Sequence, residues 1–259
     1  MRRPRIADNE AMSKQFKGKT CAYCAVAGAS DTADHVLSRQ LVAVEHRGTI
    51  PKVPACAACN GKKAALEAYV NAILPFGGRH SDALGNLTAN VPKRLERNRK
   101  LHRALAAGQT RVWSREASGL LVNATALPLD GERVEQLVGL IVRGLMCHHW
   151  GVALGSDIQV DTLSLTKRGE AFFDQYAKLN AKQRIANDIG EGALVYGGAQ
   201  GVDNDAISFW KLSLYGGVRM VSGDAKHSTS SFGVMTGPKA IAERAEAKLA
   251  NGKYIIRLT

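Results

Sequence analysis

Apolar residues recur at helical spacing in several stretches of the chain. Between residues 61 and 74 they form one face of a predicted helix, which Pro75 and the following glycines end. A second predicted helix runs from an Asp130 N-cap to about residue 149, and a third covers residues 168–187. The apolar face of the first helix consists of Ala65, Leu66, Tyr69, Val70 and Ile73.

Short apolar runs bounded by turn residues predict the strands. Residues 32–41 and 49–55 predict two extended segments, and residues 111–127 predict two strands about a Ser-Gly turn. Trp210 and Tyr215 alternate with apolar neighbours, which is typical of a sheet core rather than of a base-stacking surface. Further predicted elements are strands at 192–199, 206–215, 217–222 and 253–258, and a helix at 238–250.

Together these elements predict an α+β protein in four segments. With 259 residues, of which 45% are hydrophobic, the chain is able to bury a substantial core. The C-terminal segment is a candidate for target choice, for sensing a signal or for forming a homodimer. The segments are a basic flexible arm (1–19), a small cysteine-containing module with two extended pieces and a helix (20–75), a basic helical connector (76–110) and a C-terminal domain of helices and antiparallel strands (111–259).

The surplus of positive charge lies almost entirely in the first 110 residues. That part holds 18 Lys and Arg against 8 Asp and Glu, whereas the remainder holds 17 against 15. A one-sided positive field attracts polyanions, so nucleic acid is the first partner to consider, with ordinary solubility charge as the alternative. A predicted helix over 92–107 contributes Lys93, Arg94 and Arg97 as candidate phosphate contacts, or as parts of a solvated helix face.

The sequence predicts no association with membranes. Its longest apolar stretch, at residues 137–146, is shorter than the roughly 20 residues of a bilayer span and contains Arg143. The basic N-terminus is not followed by the apolar core of a secretory signal. We therefore expect a cytoplasmic protein, in which cysteine pairs favour metal binding over disulfides.

Four of the five cysteines form two Cys-x-x-Cys pairs, Cys21 with Cys24 and Cys56 with Cys59. Two such pairs supply the four thiolates of a structural zinc site, and accidental spacing is the alternative. Four thiolates leave no open coordination position, so this zinc is expected to stabilise a module of about 55 residues rather than to catalyse. Cys147 lies in an apolar helical pattern and is predicted to be a buried, reduced thiol.

The residues around the cysteine pairs carry a resemblance to a known family. An adjacent carboxylate and imidazole lie between the pairs, and an amide and two lysines follow the second pair. These residues are Asp34, His35, Asn60, Lys62 and Lys63. Over about residues 20–75, the segments CAYC, ADHV and CAACNGKK resemble the zinc-containing members of the HNH, or ββα-metal, endonuclease family.

The resemblance implies an endonuclease that hydrolyses DNA phosphodiester bonds, with RNA as a further candidate substrate. It makes His35 the general base for water, and Asp34 and Asn60 the ligands of one Mg²⁺ or Mn²⁺ ion. Family members leave 5′-phosphate and 3′-hydroxyl ends. Because neighbouring side chains of a strand point to opposite faces, Asp34 and His35 share a site only where the strand ends or bends.

Several residues of the module each have two possible interpretations. Lys62 and Lys63 are candidate phosphate contacts or members of a solvated helix face, and Glu67 is a candidate metal ligand or part of a structural pairing. The middle Asn of the family, which helps to orient the histidine, is absent from the segment TIPKVPAC. The alternative function is therefore a catalytically inactive, zinc-stabilised protein that binds DNA or RNA. A carboxylate repels phosphate unless a cation intervenes, which favours the enzyme.

Overall fold

The structure, a computed structural model, describes residues 15–115, 119–179, 181–221 and 228–239. Helices and strands are mixed along the chain, and the strands of each sheet pair antiparallel. The predicted α+β class is therefore confirmed.

The N-terminal region contains two short strands followed by a long helix. In chain order its elements are β1 (Thr32–His35), a 3₁₀ helix (Val44–Thr49), β2 (Lys52–Ala55) and α1 (Ala57–Ile73). In the β1–β2 ladder, Asp34 lies opposite Val53 and His35 lies opposite Lys52. Helix α1 begins four residues before the predicted start, because the side chain of Cys56 caps it.

Short helices connect this region to a hairpin. They are a 3₁₀ helix (Leu74–Gly77), α2 (Ser81–Ala89), α3 (Val91–Arg97) and α4 (Arg99–Ala107). The prediction of one helix over 92–107 is wrong, because the backbone of Asn98 leaves the helical region at φ −116° and ψ 70°. The side-chain oxygen of Asn98 accepts the N–H of Leu101 at 3.0 Å and thereby caps α4.

The C-terminal region is built on a five-stranded sheet, whose strands in spatial order are Ile158–Leu165 (β5), Ser231–Pro238 (β11), Ser208–Leu214 (β8), Leu194–Gly201 (β7) and Ala181–Ile189 (β6). A hairpin and a long helix precede the sheet in the chain, and a second long helix connects β5 to β6. The elements are β3 (Thr110–Arg115), β4 (Leu121–Ala126), α5 (Gly131–Trp150), β5 (Ile158–Leu165), α6 (Lys167–Leu179), β6 (Ala181–Ile189), β7 (Leu194–Gly201), β8 (Ser208–Leu214), β9 (Met220–Val221), β10 (Ser228–Thr229) and β11 (Ser231–Pro238).

The two long C-terminal helices cover opposite faces of this sheet. Ser208 donates a hydrogen bond to the sulfur of Met146 on α5 at 3.2 Å. The neighbouring Phe209 instead packs against Phe173 and Tyr176 on α6, with ring centroids 6.2 and 4.8 Å apart. Because adjacent strand residues point to opposite faces, α5 and α6 lie on different sides of the sheet.

Helix α5 also packs on the N-terminal region. Gly144 lies so close to that region that an added Cβ would be 2.9 Å from Val36 Cγ1 and 3.4 Å from Tyr23 Cε1. At the start of α5, the backbone N–H of Asp130 donates to the hydroxyl of Tyr69 on α1 at 2.7 Å. One buried hydrophobic cluster therefore extends from the cysteine-containing segment into the sheet. The division of the chain at residue 110 stays a prediction.

Several predicted elements have different bounds in the structure. Residues 32–41 form a strand only as far as His35, and the helix predicted over 168–187 ends at Leu179. Residues 181–189 instead form the edge strand β6, because their pairing with β7 outweighs a polar composition that resembles a helix surface. The sequence prediction also missed β5 and β11. The helix predicted at 238–250 lies beyond the described residues from residue 240 onward, and the strand at 253–258 lies wholly outside them.

Candidate functional site

The four cysteines of the two pairs come together in space. Their Sγ atoms all lie within 4.8 Å of one another, and all four residues are free thiols. Tetrahedral zinc with Zn–S distances of about 2.3 Å places its sulfurs about 3.8 Å apart, so the cluster fits zinc after small adjustments. Cys21, Cys24, Cys56 and Cys59 therefore lie close enough to bind one metal ion, as their spacing predicts.

Local backbone geometry explains why the sulfurs converge. The first pair lies on a tight turn, in which the N–H of Ala25 donates to the carbonyl of Cys21 at 2.9 Å and Ala25 has a φ of 58°. The second pair opens α1, where the sulfur of Cys56 accepts the N–H of Cys59 at 3.5 Å. Burial acts to raise the pKa of Cys21, but backbone N–H donors, first that of Cys56, lower it to about 7. These donors favour the thiolate, which is the form that binds zinc.

Helix α5 adds a positive charge near the thiols. Burial lowers the pKa of Arg143, and the thiolates of Cys59 and Cys24 act in the opposite direction. The guanidinium of Arg143 donates to the carbonyl oxygens of Leu154 at 2.6 Å and Ile158 at 3.3 Å. A zinc ion with four thiolates carries a net negative charge, which this arginine partly offsets.

The start of α1 crosses one face of β1. Thr32 and Asp34 share that face because they are two residues apart on a strand, and His35 ends the strand. Asn60 donates its side-chain N–H to the hydroxyl of Thr32 at 3.3 Å, and Lys63 Nζ lies 3.0 Å from Asp34 Oδ2. Asn60 therefore lies beside Thr32, whose backbone is roughly 7 Å from that of Asp34.

Two donors from different segments hold the carboxylate of Asp34. The hydroxyl of Tyr23, between the first two cysteines, donates to Asp34 Oδ2 at 2.5 Å, and Lys63 Nζ contacts the same oxygen. Burial raises the pKa of Tyr23 well above its usual value, and the charge of Asp34 acts in the same direction. The hydroxyl consequently stays protonated and fixes the carboxylate, as outer-shell groups do for metal ligands.

Lys63 is buried, with 1% of its side chain exposed. Its ammonium lies 2.6 Å from Glu67 Oε1 and donates to the main-chain carbonyl of His35 at 2.7 Å. Burial raises the pKa of Glu67, and the charge of Lys63 opposes that shift. This inward position differs from both interpretations of the sequence, since Lys63 is neither on a solvated face nor at the surface where a phosphate would bind.

His35 is half-buried beside two basic residues. Its pKa is lowered to about 4, mainly by burial and then by the charges of Lys52 and Arg39, while Asp34 acts in the opposite direction. Lys52 is the cross-strand partner of His35, and Arg39 is exposed. The imidazole is therefore neutral at pH 7 and lies next to positive charge.

The basic connector contains both exposed and engaged residues. Lys93 and Arg97 are exposed on α3. Arg94, between them, donates to the carbonyl of Asn71 at 2.6 Å and to the side-chain oxygen of Gln40 at 2.7 Å, and burial lowers its pKa. Lys93 and Arg97 are thus accessible to solvent, whereas Arg94 joins α3 to α1 and to the loop that contains Gln40.

Lys62 is exposed on α1, one residue before the buried lysine. It lines a cleft of about 1340 Å³ between α1, α5 and β5. Glu132 and Glu135 line the same cleft, so the local charge around Lys62 is mixed. Of the two lysines after Asn60, Lys62 is the one accessible to a ligand.

Sequence reasoning did not identify Tyr23, Arg39, Lys52 and Arg143 as parts of this site. The position of Lys52 near His35 could have been predicted from the sequence. If the two predicted extended segments pair antiparallel, the start of the second segment lies beside the end of the first. The positions of Tyr23 and Arg143 could not, since their contacts depend on tertiary packing between distant segments.

The side chains of Asp34 and Asn60 offer oxygen donors, a ligand type that suits magnesium or manganese better than zinc. The ligand atoms of the four cysteines all lie within 4.8 Å of one another. Among the described residues, Asp34 does not belong to any such group of three or more His, Cys, Asp or Glu side chains. Mg²⁺ and Mn²⁺ keep several waters and also bind substrate phosphate, so two protein oxygens suffice. The amide nitrogen of Asn60 donates to the hydroxyl of Thr32, and the carboxylate of Asp34 accepts the hydroxyl of Tyr23 through Oδ2.

No protein-family model, curated protein or solved structure matches this chain. None of the helices in the described part of the chain combines the length and apolarity that a bilayer span requires. The functional interpretation therefore depends on the geometry of the site and on its chemistry.

Proposed function

We propose that this protein is a metal-dependent endonuclease of the HNH type that hydrolyses DNA and leaves 5′-phosphate and 3′-hydroxyl ends. RNA is a further candidate substrate, and a cytoplasmic location and a homodimer formed through the C-terminal domain are part of the same hypothesis. One observation carries the proposal: α1 contacts β1 through Asn60 on Thr32 and Lys63 on Asp34, and His35 ends that strand, beside four thiols that can hold zinc.

Asp34 and Asn60 would hold the catalytic ion. A bound Mg²⁺ or Mn²⁺ would supply positive charge against the phosphate and the leaving 3′ oxygen. Tyr23 and Lys63 both act on Asp34 Oδ2, so Oδ1 would be the oxygen that binds the ion. A zinc ion on the four thiols would tie the turn before β1 to the start of α1, because Cys21 and Cys24 lie on that turn, Cys56 caps the helix and Cys59 lies in its first turn.

His35 would take the proton of the attacking water. Its pKa of about 4 keeps the imidazole neutral and proton-accepting at pH 7. A bound phosphate is an anion, so it opposes the effect of Lys52 and Arg39 and raises the pKa of His35 toward its ordinary value. A base whose pKa lies nearer the working pH transfers protons more effectively.

The basic residues would bind the nucleic-acid backbone. Lys52 and Arg39 lie near His35, and Lys93 and Arg97 are exposed on α3. Contacts of this kind fix the register of a polyanion without reading its sequence. The proposed interface is thus centred on His35 and extends to the basic connector.

A second candidate function, nucleic-acid binding without cutting, is favoured by the ion pair of Lys63 with Asp34. A free carboxylate beside a phosphate would repel it. Here the ammonium of Lys63 lies 3.0 Å from Asp34 Oδ2 and neutralises that charge without a divalent ion. A binding protein could therefore retain Asp34 at a phosphate-facing surface.

Plasmid cleavage separates the two functions. Wild-type protein is incubated with supercoiled DNA and Mg²⁺ or Mn²⁺, and the metal-free reaction omits the ion rather than adding a chelator, which would also remove zinc. We expect nicking that depends on the added ion. His35→Ala should reduce the rate by about 10²- to 10⁴-fold, the usual contribution of a general base.

The matched control is His148→Ala, which removes an exposed histidine at the end of α5 that is not one of the proposed catalytic residues. It should cut like the wild type, and zinc content and DNA binding should be equal in all three proteins. Equal cutting by His35→Ala would refute the assignment of the base. Wild-type protein that retards DNA without nicking it would establish the second function instead.

A further inference from the structure

The ammonium of Lys63 occupies a cage of three oxygen atoms. Glu67 Oε1 lies at 2.6 Å, the carbonyl oxygen of His35 at 2.7 Å and Asp34 Oδ2 at 3.0 Å. Of the three N–H donors of the ammonium, one goes to Glu67 and one to the carbonyl of His35, and Asp34 Oδ2 forms an ion pair with the same charge. With 1% of the side chain exposed, water has almost no access to the charge.

The cage joins elements that are distant in sequence. Glu67 and Lys63 are one helical turn apart on α1, while Asp34 and His35 are the last two residues of β1. Lys63 therefore fixes the end of β1 against α1 through both a side chain and the main chain. It touches no reacting atom in the proposed function and acts only through its neighbours.

The donor set of the cage is also that of a divalent metal site. Two carboxylates and a carbonyl are the oxygen ligands that Mg²⁺ and Mn²⁺ bind. With Lys63 in place, its single positive charge offsets one of the two carboxylate charges. Removal of the ammonium would leave two negative charges around a cavity that suits a divalent ion.

We propose that Lys63 is a built-in cation: it fills this three-oxygen cage, positions Asp34 and His35, and excludes a second divalent ion from the site. The positional part of the inference rests on the proposed nuclease function. The exclusion of a divalent ion from the cage does not, because it depends only on the three oxygens and the ammonium.

The test counts Mn²⁺ ions bound to the full chain, by titration followed with electron paramagnetic resonance. Lys63→Met is suitable because methionine keeps the apolar stem but ends one atom short of Nζ, which opens the cage. We expect Lys63→Met to bind one more Mn²⁺ than the wild type, and Lys63→Met/Glu67→Gln to lose that additional ion. Lys62→Met, which removes the adjacent exposed charge, should bind as many Mn²⁺ ions as the wild type.

Activity gives the second readout. Cutting by Lys63→Met should fall by about 10- to 100-fold, as for other outer-shell residues of metal sites, with zinc content unchanged. A purely structural ion pair predicts no additional Mn²⁺, and that result in a zinc-loaded Lys63→Met protein would overturn the inference. A wild type that neither cuts nor binds Mn²⁺, with a variant that gains one ion, would refute the nuclease and support the cage.

A measurement on the wild type covers the case in which Lys63→Met does not fold. The ¹⁵N signal of the buried ammonium should show slow hydrogen exchange and should stay in the cage, broadened by the nearby ion, when Mn²⁺ is added. Conversion of this signal to that of a freely exchanging lysine would show that Mn²⁺ displaces Lys63, which would overturn the proposal.

Discussion

The segment before residue 75 and the sheet after residue 158 bury different kinds of side chain. The first buries the charged Lys63 and half-buries its partners, with 13% of the Asp34 side chain and 20% of the Glu67 side chain exposed. The second buries aromatic residues, among them Trp210 at 0% and Tyr196 at 2% exposure. The first region also belongs to the part of the chain that carries nearly all of the surplus positive charge.

This difference indicates two sources of stability. A buried ion pair contributes little net free energy, because the desolvation of both charges offsets their attraction. The first region also buries apolar side chains, but we expect it to depend on a metal at the four cysteines in addition, whereas the sheet depends on apolar packing. A metal held by the four cysteines would supply the stability that a buried cluster of charges does not.

The largest expected effect is loss of the metal. Cys56→Ala removes one thiol of the cluster and the cap of α1, so residues 20–75 should unfold. Structural zinc contributes roughly 10 kcal/mol or more to small modules, which is comparable with the stability of a whole domain. Zinc analysis should find no bound metal, and hydrogen exchange should show loss of protection across residues 57–73.

Hydrogen exchange in the sheet tests the comparison directly. If the two regions are stabilised independently, amides of β7 and β8 should stay protected in Cys56→Ala. Loss of protection there as well would show that packing of α5 on both regions makes them one cooperative unit. Cys147→Ala serves as the control, because this half-buried thiol lies outside the cluster and zinc should be retained.

Most elements of the fold followed from patterns in the sequence, and the exceptions have physical causes. Helices α1 and α5 have apolar faces at helical spacing and polar caps, so their positions were predicted within a few residues. Strand β6 was not predicted, because its exposed polar residues carry little strand signal and only its pairing with β7 fixes its structure. Local propensity does not encode such pairing.

The candidate site was predictable in its residue types but not in its internal contacts. The cysteine spacing alone was sufficient to expect the four-thiol cluster, which the structure contains. The inward position of Lys63 could not be predicted from the sequence, because it depends on a carbonyl and a carboxylate group 28 and 29 residues earlier in the chain. The environment of His35 likewise depends on the register that places Lys52 opposite it.

The next largest effect should come from the aromatic core of the sheet. Trp210 lies opposite Gly198, where a Cβ would come within 2.6 Å of the indole ring, and its N–H donates to Ser208 at 2.9 Å. Trp210→Ala should lower the free energy of unfolding by about 3–5 kcal/mol through the cavity it creates. Urea denaturation measures this change, and the zinc content of the folded protein should be unaffected. Loss of zinc in the folded variant would contradict the separation of the two regions.

A smaller effect should depend on pH through His149 on the sheet side of α5. Its Nε2 lies 3.2 Å from the hydroxyl of Tyr196, which also accepts a hydrogen bond from Asn187 at 3.0 Å. Burial, followed by the charge of His148, lowers the pKa of His149 to about 4. The folded state therefore favours the neutral imidazole.

The direction of this pH effect follows from the lowered pKa. The stabilisation is complete above about pH 6.5, where unfolded histidine is neutral, and is lost as the pH falls toward about 4. Between pH 7 and pH 4 the wild type should lose on the order of 1–3 kcal/mol more stability than His149→Gln, which does not titrate. Equal losses in urea denaturation of the two proteins would show that His149 is not held neutral.

The smallest expected effect concerns the unequal charge of the two regions. Lys93 and Arg97 are exposed on α3, so Lys93→Gln and Arg97→Gln should each weaken nucleic-acid binding and reduce the slope of log affinity against log salt by about 0.9 for a duplex. Arg94→Gln should instead lower stability, because its guanidinium is engaged with Asn71 and Gln40.

The control is Lys178→Gln, an equal loss of charge on α6, which should leave the slope of log affinity against log salt unchanged. Binding titrations over a range of salt concentrations measure all four variants, and a slope that falls equally for Lys178→Gln would place the nucleic acid across both regions rather than on the first.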